Sequence, residues 1–514
     1  MDDWRHYKSL RNRATMRMRQ EKKEWEKLKL DSTKHDPSAL WKNVKMWLSW
    51  NNSGPPSQLF YQGRLISSPA GLASTMNLFF INKVRNLRKG IPPTNIDPLH
   101  VLKEAFRDRQ CSFRFKAANP EEVLKILKGL KNSKSTGIDY IDTSVVKLVG
   151  EEIIAPLTHV INLSIEESTF PAIWKQAKVI PLLKKEDPLN PKNYRPVALL
   201  PIFSKILERV IYNQLIQYLN TEGLIHPNHH GSRQGHSTAT ALLQMHDRWV
   251  EEVDHGNMVG IMMVDLSAAF DMVDHTILLE KLRIFGLEES ALQWMRSYLV
   301  GRSQSVFIDG CLSPAMAVEC GVPQGSILGP LMYILFTNDM PNLVHNHPID
   351  FKVPDAFCDD CGGTVCYVDD GTYSVGHKDP TTLSGVLTAQ YKAISGYMVA
   401  NKLVINDEKT NLMVMGNKSN RVVREQVELK AGNFSIKPAK TGKLLGCELS
   451  DDLKWKQHIR DSEKSLLRQL TSRANGLAII GSKADFNTRL CYLMIQLWGG
   501  LRKLYPALLT STSK

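Results

Sequence analysis

At 514 residues and 43% apolar content, the chain is long enough for roughly two to four domains with substantial cores, which excludes a mostly disordered protein or a miniature one held by disulfides. Lys and Arg number 65 against 52 Asp and Glu, a formal charge of +13, and a surplus of that size points to nucleic acid first and an anionic membrane surface second. No apolar run reaches the ~18 residues of a membrane span and the opening Met-Asp-Asp-Trp-Arg is not a signal peptide, so no membrane partner is expected and the eight cysteines are expected as thiols.

The first fifty residues hold 13 Lys or Arg, 7 Asp or Glu and five of the ten tryptophans (Trp4, Trp25, Trp41, Trp47, Trp50). That mixture predicts amphipathic helices whose basic face meets phosphates, or equally helices that the tryptophans anchor to the rest of the fold. Breaks at Gly54-Pro55-Pro56-Ser57 and Gly90-Ile91-Pro92-Pro93 separate this extension from the main body. At Asn119-Pro120-Glu121-Glu122 an Asn cap, a Pro in the first helical position and Glu122 as the partner of a capping box predict a helix with Val123, Ile126, Leu127 and Leu130 on one face. From Ala177 the pattern alternates as in an α+β domain: a strand over Val179 to Leu183, a helix over Ser204 to Leu219 and a buried strand over Val259 to Val264.

That last strand runs into Asp265-Leu266-Ser267-Ala268-Ala269-Phe270-Asp271, which puts a carboxylate where the backbone leaves a central sheet. A second acidic element, Tyr367-Val368-Asp369-Asp370-Gly371-Thr372, has β-prone runs on both sides of Asp-Gly and predicts a hairpin turning there. Adjacent strand residues face opposite sides, so one of Asp369 and Asp370 should dominate. Carboxylates from two neighbouring strands form the hard-oxygen environment of Mg²⁺, and two such ions can clamp an in-line phosphoryl transfer; a solvated turn acid is the plainer reading of the pair.

Further elements follow in order: Asn193-Tyr194-Arg195-Pro196-Val197-Ala198 with Lys184 and Lys185 ahead of it, Gly321-Val322-Pro323-Gln324-Gly325-Ser326 with the apolar helix after it, Asn401-Lys402-Leu403, Asn406, Lys409-Thr410, then Lys443-Leu444-Leu445-Gly446 and Leu453-Lys454-Trp455. Together these strings resemble the reverse transcriptases of non-LTR retrotransposons of the LINE, jockey-like type, over roughly residues 120 to 460. The resemblance implies a right-hand polymerase fold, with a helical basic N-terminal extension and linker over 1–118, fingers and palm over 119–460 and a partial helical thumb over 461–514. It implies an RNA-directed DNA polymerase that uses two Mg²⁺ ions, an RNA template, a DNA primer and dNTPs.

Carried across residue by residue, Asp265 and Asp369 become metal ligands, Asp370 a less direct acid, and the Leu266 carbonyl part of a metal shell. Phe270 takes the position that excludes a ribose 2′-hydroxyl. Arg195 with Lys184 or Lys185 holds the triphosphate. Gln324 and Gly325 face the incoming nucleotide and template base, Gly325 because a residue without Cβ lets the backbone approach a base pair. Lys409 sits near the leaving pyrophosphate, against the alternative of a solubilising edge lysine, and Leu445 and Gly446 form a primer grip. Asp271 is expected to bond a turn or cap the following helix rather than bind metal.

Departures also matter. The family carries Ala before the acid pair where this chain has Val368. The long connection from Pro341 to Gly363 holds His345, His347, Cys358 and Cys361, whose spacing matches no zinc finger well, and a decoy pair, Asp359 and Asp360. The sequence stops at Lys514 without a Cys/His knuckle, RNase H-like acids or an endonuclease, which suggests a fragment of a longer element protein. A non-catalytic RNA-binding remnant of such an element is the rival reading.

Overall fold

The computed structural model describes residues 55–184, 187–344, 363–417, 420–431 and 434–452, with a few positions between 16 and 25. The tryptophan-rich extension otherwise, Lys185, the His345/His347/Cys358/Cys361 set, Asp359, Asp360, Leu453-Lys454-Trp455 and the expected thumb lie outside the described residues. The fold below belongs to one unit, Ser53–Lys454.

Two sheets organise it. The first contains β1 (Gln176–Leu183) and β2 (Tyr194–Leu199) as an antiparallel pair, followed by β4 (Arg302–Ile308) parallel to β1, with β5 (Cys311–Leu312) and β6 (Met316–Val318) paired to β4. The second has the order β9–β3–β8–β7, made of β3 (Met258–Val264), β7 (Gly363–Tyr367), β8 (Asp370–His377) and β9 (Asn411–Met415), all antiparallel.

Every residue of β3 is buried, and the structure shows why its sequence does not alternate. Met258, Met262 and Val264 join the main helical core, while Val259, Ile261 and Met263 face a second cluster with Met245, Trp249 and Leu444. Helices thus cover both faces. Beneath one lie α3 (Ile202–Thr221), α6 (His275–Ile284), α7 (Glu289–Leu299), α8 (Leu328–Phe336) and α9 (Pro380–Ala400); α4 (Thr238–Asp254) covers the other. A fully buried pair pins this helical layer: Lys281 of α6 donates to Asp339 at 2.8 Å and to the Phe336 carbonyl at 2.7 Å, and Tyr397 of α9 donates to the same Asp339 oxygen at 2.7 Å. Removing either charge would strand the other in the core, at a cost of about 3–5 kcal/mol.

The first sheet is backed by α1 (Pro69–Lys89), which Ser68 caps and Pro69 starts. Its Leu72, Met76 and Phe80 pack on Ala177, Val179, Val306 and Ile308, so part of the expected extension is a structural layer of the sheet. Each such anchor would cost about 2–5 kcal/mol on truncation to Ala. The helix predicted at Asn119 is α2 (Pro120–Gly129); Asn119 accepts the Glu122 amide, Val123 and Leu127 are buried, and Ile126 and Leu130 pack at its edge. The two-sided capping box stands elsewhere, between Ser237 and Thr240 at the start of α4.

Candidate active site

Three carboxylates lie near one another at one end of the second sheet. β3 delivers Asp265, and the register that sets Gly371 opposite Val264 brings Asp370 and the adjoining Asp369 beside it. The turn between β7 and β8 is Val368-Asp369, two residues earlier than the Asp-Gly signal predicts: Asp370 and Gly371 already pair with Tyr367 and Cys366. Val368 adopts a φ of +58°, a conformation costly for a β-branched residue. Neighbouring structure holds it there. The segment Asn228–His230 runs parallel to β7, with the Cys366 amide donating to Asn228 and the His230 amide to Cys366, both at 2.9 Å. Gly231 then presses on the turn so closely that a Cβ would lie 2.6 Å from the Val368 nitrogen. His229 in this strap is fully buried, and burial holds its imidazole down at about 4 while the Thr337 carbonyl accepts from its Nε2 at 2.9 Å.

Enclosure of the Asp370 carboxyl, together with Asp369 and Asp265, pushes its pKa up to about 6, against a lowering contribution from Lys409. Lys409 donates to Asp265 Oδ2 at 2.7 Å and Asn406 donates to the same oxygen at 3.1 Å. Lys409 therefore serves Asp265 directly, and a purely solubilising role does not describe it. The backbone ladder beside Asp265 uses the Asp265 carbonyl and the Ser267 amide, which leaves the Leu266 carbonyl turned away from the Val404–Asn406 segment. Among the described residues, no three His, Cys, Asp or Glu side chains stand close enough to enclose a metal ion as they are.

The Pro-Gln-Gly turn packs on the segment after Asp265. Phe270 lies in α5 (Ala269–Met272), and its ring stacks on Tyr333 of α8 with centroids 4.6 Å apart. Asp271 accepts the Gln324 side-chain amide at 2.8 Å, so the expectation that it bonds a turn holds in part; the cap of α6 is Asp274, which accepts from Thr276 and Ile277. Gly321, at φ +87°, sits where a Cβ would meet the Asp271 backbone at 2.7 Å. Gly325 gives room to the Ala198 carbonyl of β2, 2.7 Å from where its Cβ would be, so the neighbour its missing side chain accommodates is protein backbone.

The start of α8, behind this turn, has a local cap in Ser326, whose Oγ accepts the Gly329 amide at 2.9 Å, and needs a further acceptor for its first amides. Glu208, buried in the middle of α3, supplies one from across the core: its carboxylate accepts the Ile327 amide at 2.8 Å and the Leu328 amide at 3.2 Å. Glu208 and Gly231 are the two positions that sequence reasoning missed. Neither carries a local signal, because an acid in an amphipathic helix reads as solvated and a glycine in His-His-Gly-Ser reads as loop.

Arg195 is exposed on β2, paired with Leu182 of β1, and Lys184 is exposed just past the end of β1. Leu445 and Gly446, at φ +48° and +88°, form the two-residue turn between β10 (Thr441–Leu444) and β11 (Cys447–Ser450), with Leu445 packed at the edge of the second cluster. No helix among the described residues is long and apolar enough to cross a membrane.

Comparison with known proteins adds relatives. The chain is similar to the RNA-directed DNA polymerase from mobile element jockey of Drosophila funebris, 34% identical over 223 residues that cover 43% of this chain and 24% of that protein. It is similar to the probable RNA-directed DNA polymerases from transposon BS (34% identity, 45% and 26% covered) and transposon X-element (32% identity, 43% and 24% covered) of Drosophila melanogaster. The chain spans about a quarter of the length of these curated relatives. A solved RNA-dependent RNA polymerase of a human picorbirnavirus aligns loosely, with a TM-score of 0.39 and 12% identity over 76% of this chain and 65% of that one. The reverse transcriptase (RNA-dependent DNA polymerase) family matches residues 183–449, from the end of β1 into β11 and more than half of the sequence, and the chain belongs to that family.

Proposed function

We propose that this chain is the polymerase part of a non-LTR retrotransposon protein and extends a DNA primer on an RNA template by nucleotidyl transfer from dNTPs. The observation that carries the reading is the grouping of Asp265, Asp369 and Asp370 at one sheet end, where burial and then the two neighbouring carboxylates raise Asp370 to about 6 and Lys409 offsets part of the charge. Such a donor set is all oxygen and short of positive charge, which suits Mg²⁺. Asp265, Asp369 and the Leu266 carbonyl would hold two ions, with Asp370 the less direct acid. Bound Mg²⁺ supplies Lewis acidity that lowers the pKa of the primer 3′-hydroxyl and neutralises charge on the leaving pyrophosphate.

The chain's own side chains do the rest. Arg195, with Lys184 or Lys185, grips the triphosphate; Phe270, backed by Tyr333, closes the space beside the sugar C2′; Gln324 and Gly325 face the nucleotide and its template base; the Leu445-Gly446 turn supports the primer end. Lys409 exchanges Asp265 for the pyrophosphate as the site fills. In this reading residues 119–460 are fingers and palm, 1–118 a basic extension that contributes α1 to the fingers, and 461–514 the start of a thumb.

The test is primer extension on an RNA template with Mg²⁺ and dNTPs. Extension that stops when Mg²⁺ is chelated supports the proposal; an inactive chain that still binds the RNA would make it a remnant that kept only binding.

A further inference from the structure

Asp271 has no place in the metal chemistry, yet it is built into the site as firmly as any residue in it. Three contacts stitch its segment to the Pro-Gln-Gly turn: the Gly321 amide donates to Val273 at 2.8 Å, the Val322 amide to Phe270 at 2.9 Å, and the Cys320 thiol to the Asp271 carbonyl at 3.4 Å. Gly321 lies against the Asp271 backbone where no side chain fits. The two strings therefore hold a fixed distance, and across it Gln324 Nε2 donates to Asp271 Oδ1 at 2.8 Å. Both side chains line a cavity of about 220 Å³ that Pro196 of β2 and Lys83 of α1 also line.

An ionised carboxylate can only accept hydrogen bonds, whereas a side-chain amide has a donor end and an acceptor end that rotation about one bond exchanges. With its NH₂ held by Asp271, the Gln324 carbonyl oxygen takes no hydrogen bond among the described residues. We infer that Asp271 is a positioning residue for nucleotide selection: it fixes the Gln324 amide so that an acceptor is the group offered to an N–H or O–H donor of the nucleotide. The inference rests on the proposed role of Gln324 toward the incoming nucleotide and adds which end of the amide is used and what sets it. Burial raises the Asp271 carboxyl, while the Gln324 hydrogen bond and Lys83 oppose the rise.

The test is a double-mutant cycle on the full chain, with kcat and KM read separately for single-nucleotide extension by the wild type, Asp271→Asn, Gln324→Glu and the double variant. Gln324→Glu sets two carboxylates face to face and should lower kcat/KM for the correct dNTP roughly tenfold to a hundredfold. In the double variant the new amide at 271 donates to the new carboxylate at 324, whose second oxygen restores an acceptor, so kcat/KM should recover at least about tenfold over Gln324→Glu. The apparent Mg²⁺ requirement should stay the same in all four proteins. Unfolding midpoints identify any variant that has lost its fold, and recovery by the double variant cannot come from one that has. A wild type that extends primers, with losses that simply multiply in the double variant, overturns this inference alone; a wild type that does not extend overturns the polymerase reading and this inference with it.

Discussion

Gly231→Ala probes the link between the strap and the turn that carries Asp369. A Cβ at 231 would stand 2.4 Å from Val368 Cγ2 and 2.6 Å from the Val368 nitrogen. The methyl group can rotate away but the backbone nitrogen cannot, so the turn has to retreat by roughly 1 Å to reach ordinary contact. Asp369 is the next residue on that turn. Overpacking of this kind costs about 1–3 kcal/mol of stability, and a displacement near 1 Å of a group that must meet the reacting atoms costs on the order of a hundredfold in rate, or about 2.7 kcal/mol of barrier. The expected result is a folded protein with a modestly lower unfolding midpoint and a kcat for primer extension down about a hundredfold. Gly385→Ala is the control: nothing lies within 4 Å of a Cβ there, in the middle of α9, and the exchange should raise stability by up to about 1 kcal/mol and leave kcat unchanged. A Gly231→Ala protein with wild-type kcat would refute the claim that the strap sets the position of Asp369.

Asp265→Asn and Asp369→Asn should each nearly abolish extension while RNA affinity in a filter-binding assay stays close to wild type; more than about a tenth of the wild-type rate in either, a loss under ~1.4 kcal/mol, would remove the metal-ligand assignment. Asp370→Asn should stabilise the fold near neutral pH. Because the folded protein holds the Asp370 carboxyl near 6 against an ordinary 3.8, its protonated form is favoured by folding, and stability from this group is lost as pH rises from about 4 to 6. The gap in unfolding midpoint between the variant and the wild type should accordingly be full above pH 6 and close toward pH 4, and a gap that widens on acidification contradicts the repulsion described here. Phe270→Ala should lower the preference for dGTP over rGTP in kcat/KM by at least about tenfold, while an equal loss for both nucleotides would make the ring a packing element on Tyr333 only.

The elements that position the site were legible where a local pattern determines them. An unbroken apolar run ending in an acid marks β3 and Asp265, because only a strand covered on both faces tolerates seven consecutive apolar residues. The hairpin is legible too, but the local signal puts its turn two residues late: Asp-Gly is the better turn dipeptide on local grounds, and the strap at Asn228–Gly231 overrides it by pairing with Cys366 and filling the space beside Val368. Contacts between segments far apart in sequence account for the rest. Glu208 caps a helix 119 residues away, and Asp271 meets Gln324 across 53 residues, so neither partner's neighbours in sequence announce the other.

What separates a working acid from a structural one also depends on such distant partners, as Asp274 and Asp370 show. Burial would raise Asp274, but Lys402 and Arg88, from α9's end and α1, bond it at 2.7 and 2.6 Å and hold it down at about 2. Its charge is fully compensated, and it caps α6. Asp370 has the opposite surroundings: burial, then two more carboxylates, raise it to near 6, and Lys409, already bonded to one of them, offsets only part of the rise. A fold gains nothing by assembling like charges at the end of its central sheet, and in the proposed function a cation from outside relieves the repulsion. The same residue type in one fold is thus compensated where it supports the architecture, at Asp274, and left short of positive charge where the proposed function has a ligand enter, at Asp370.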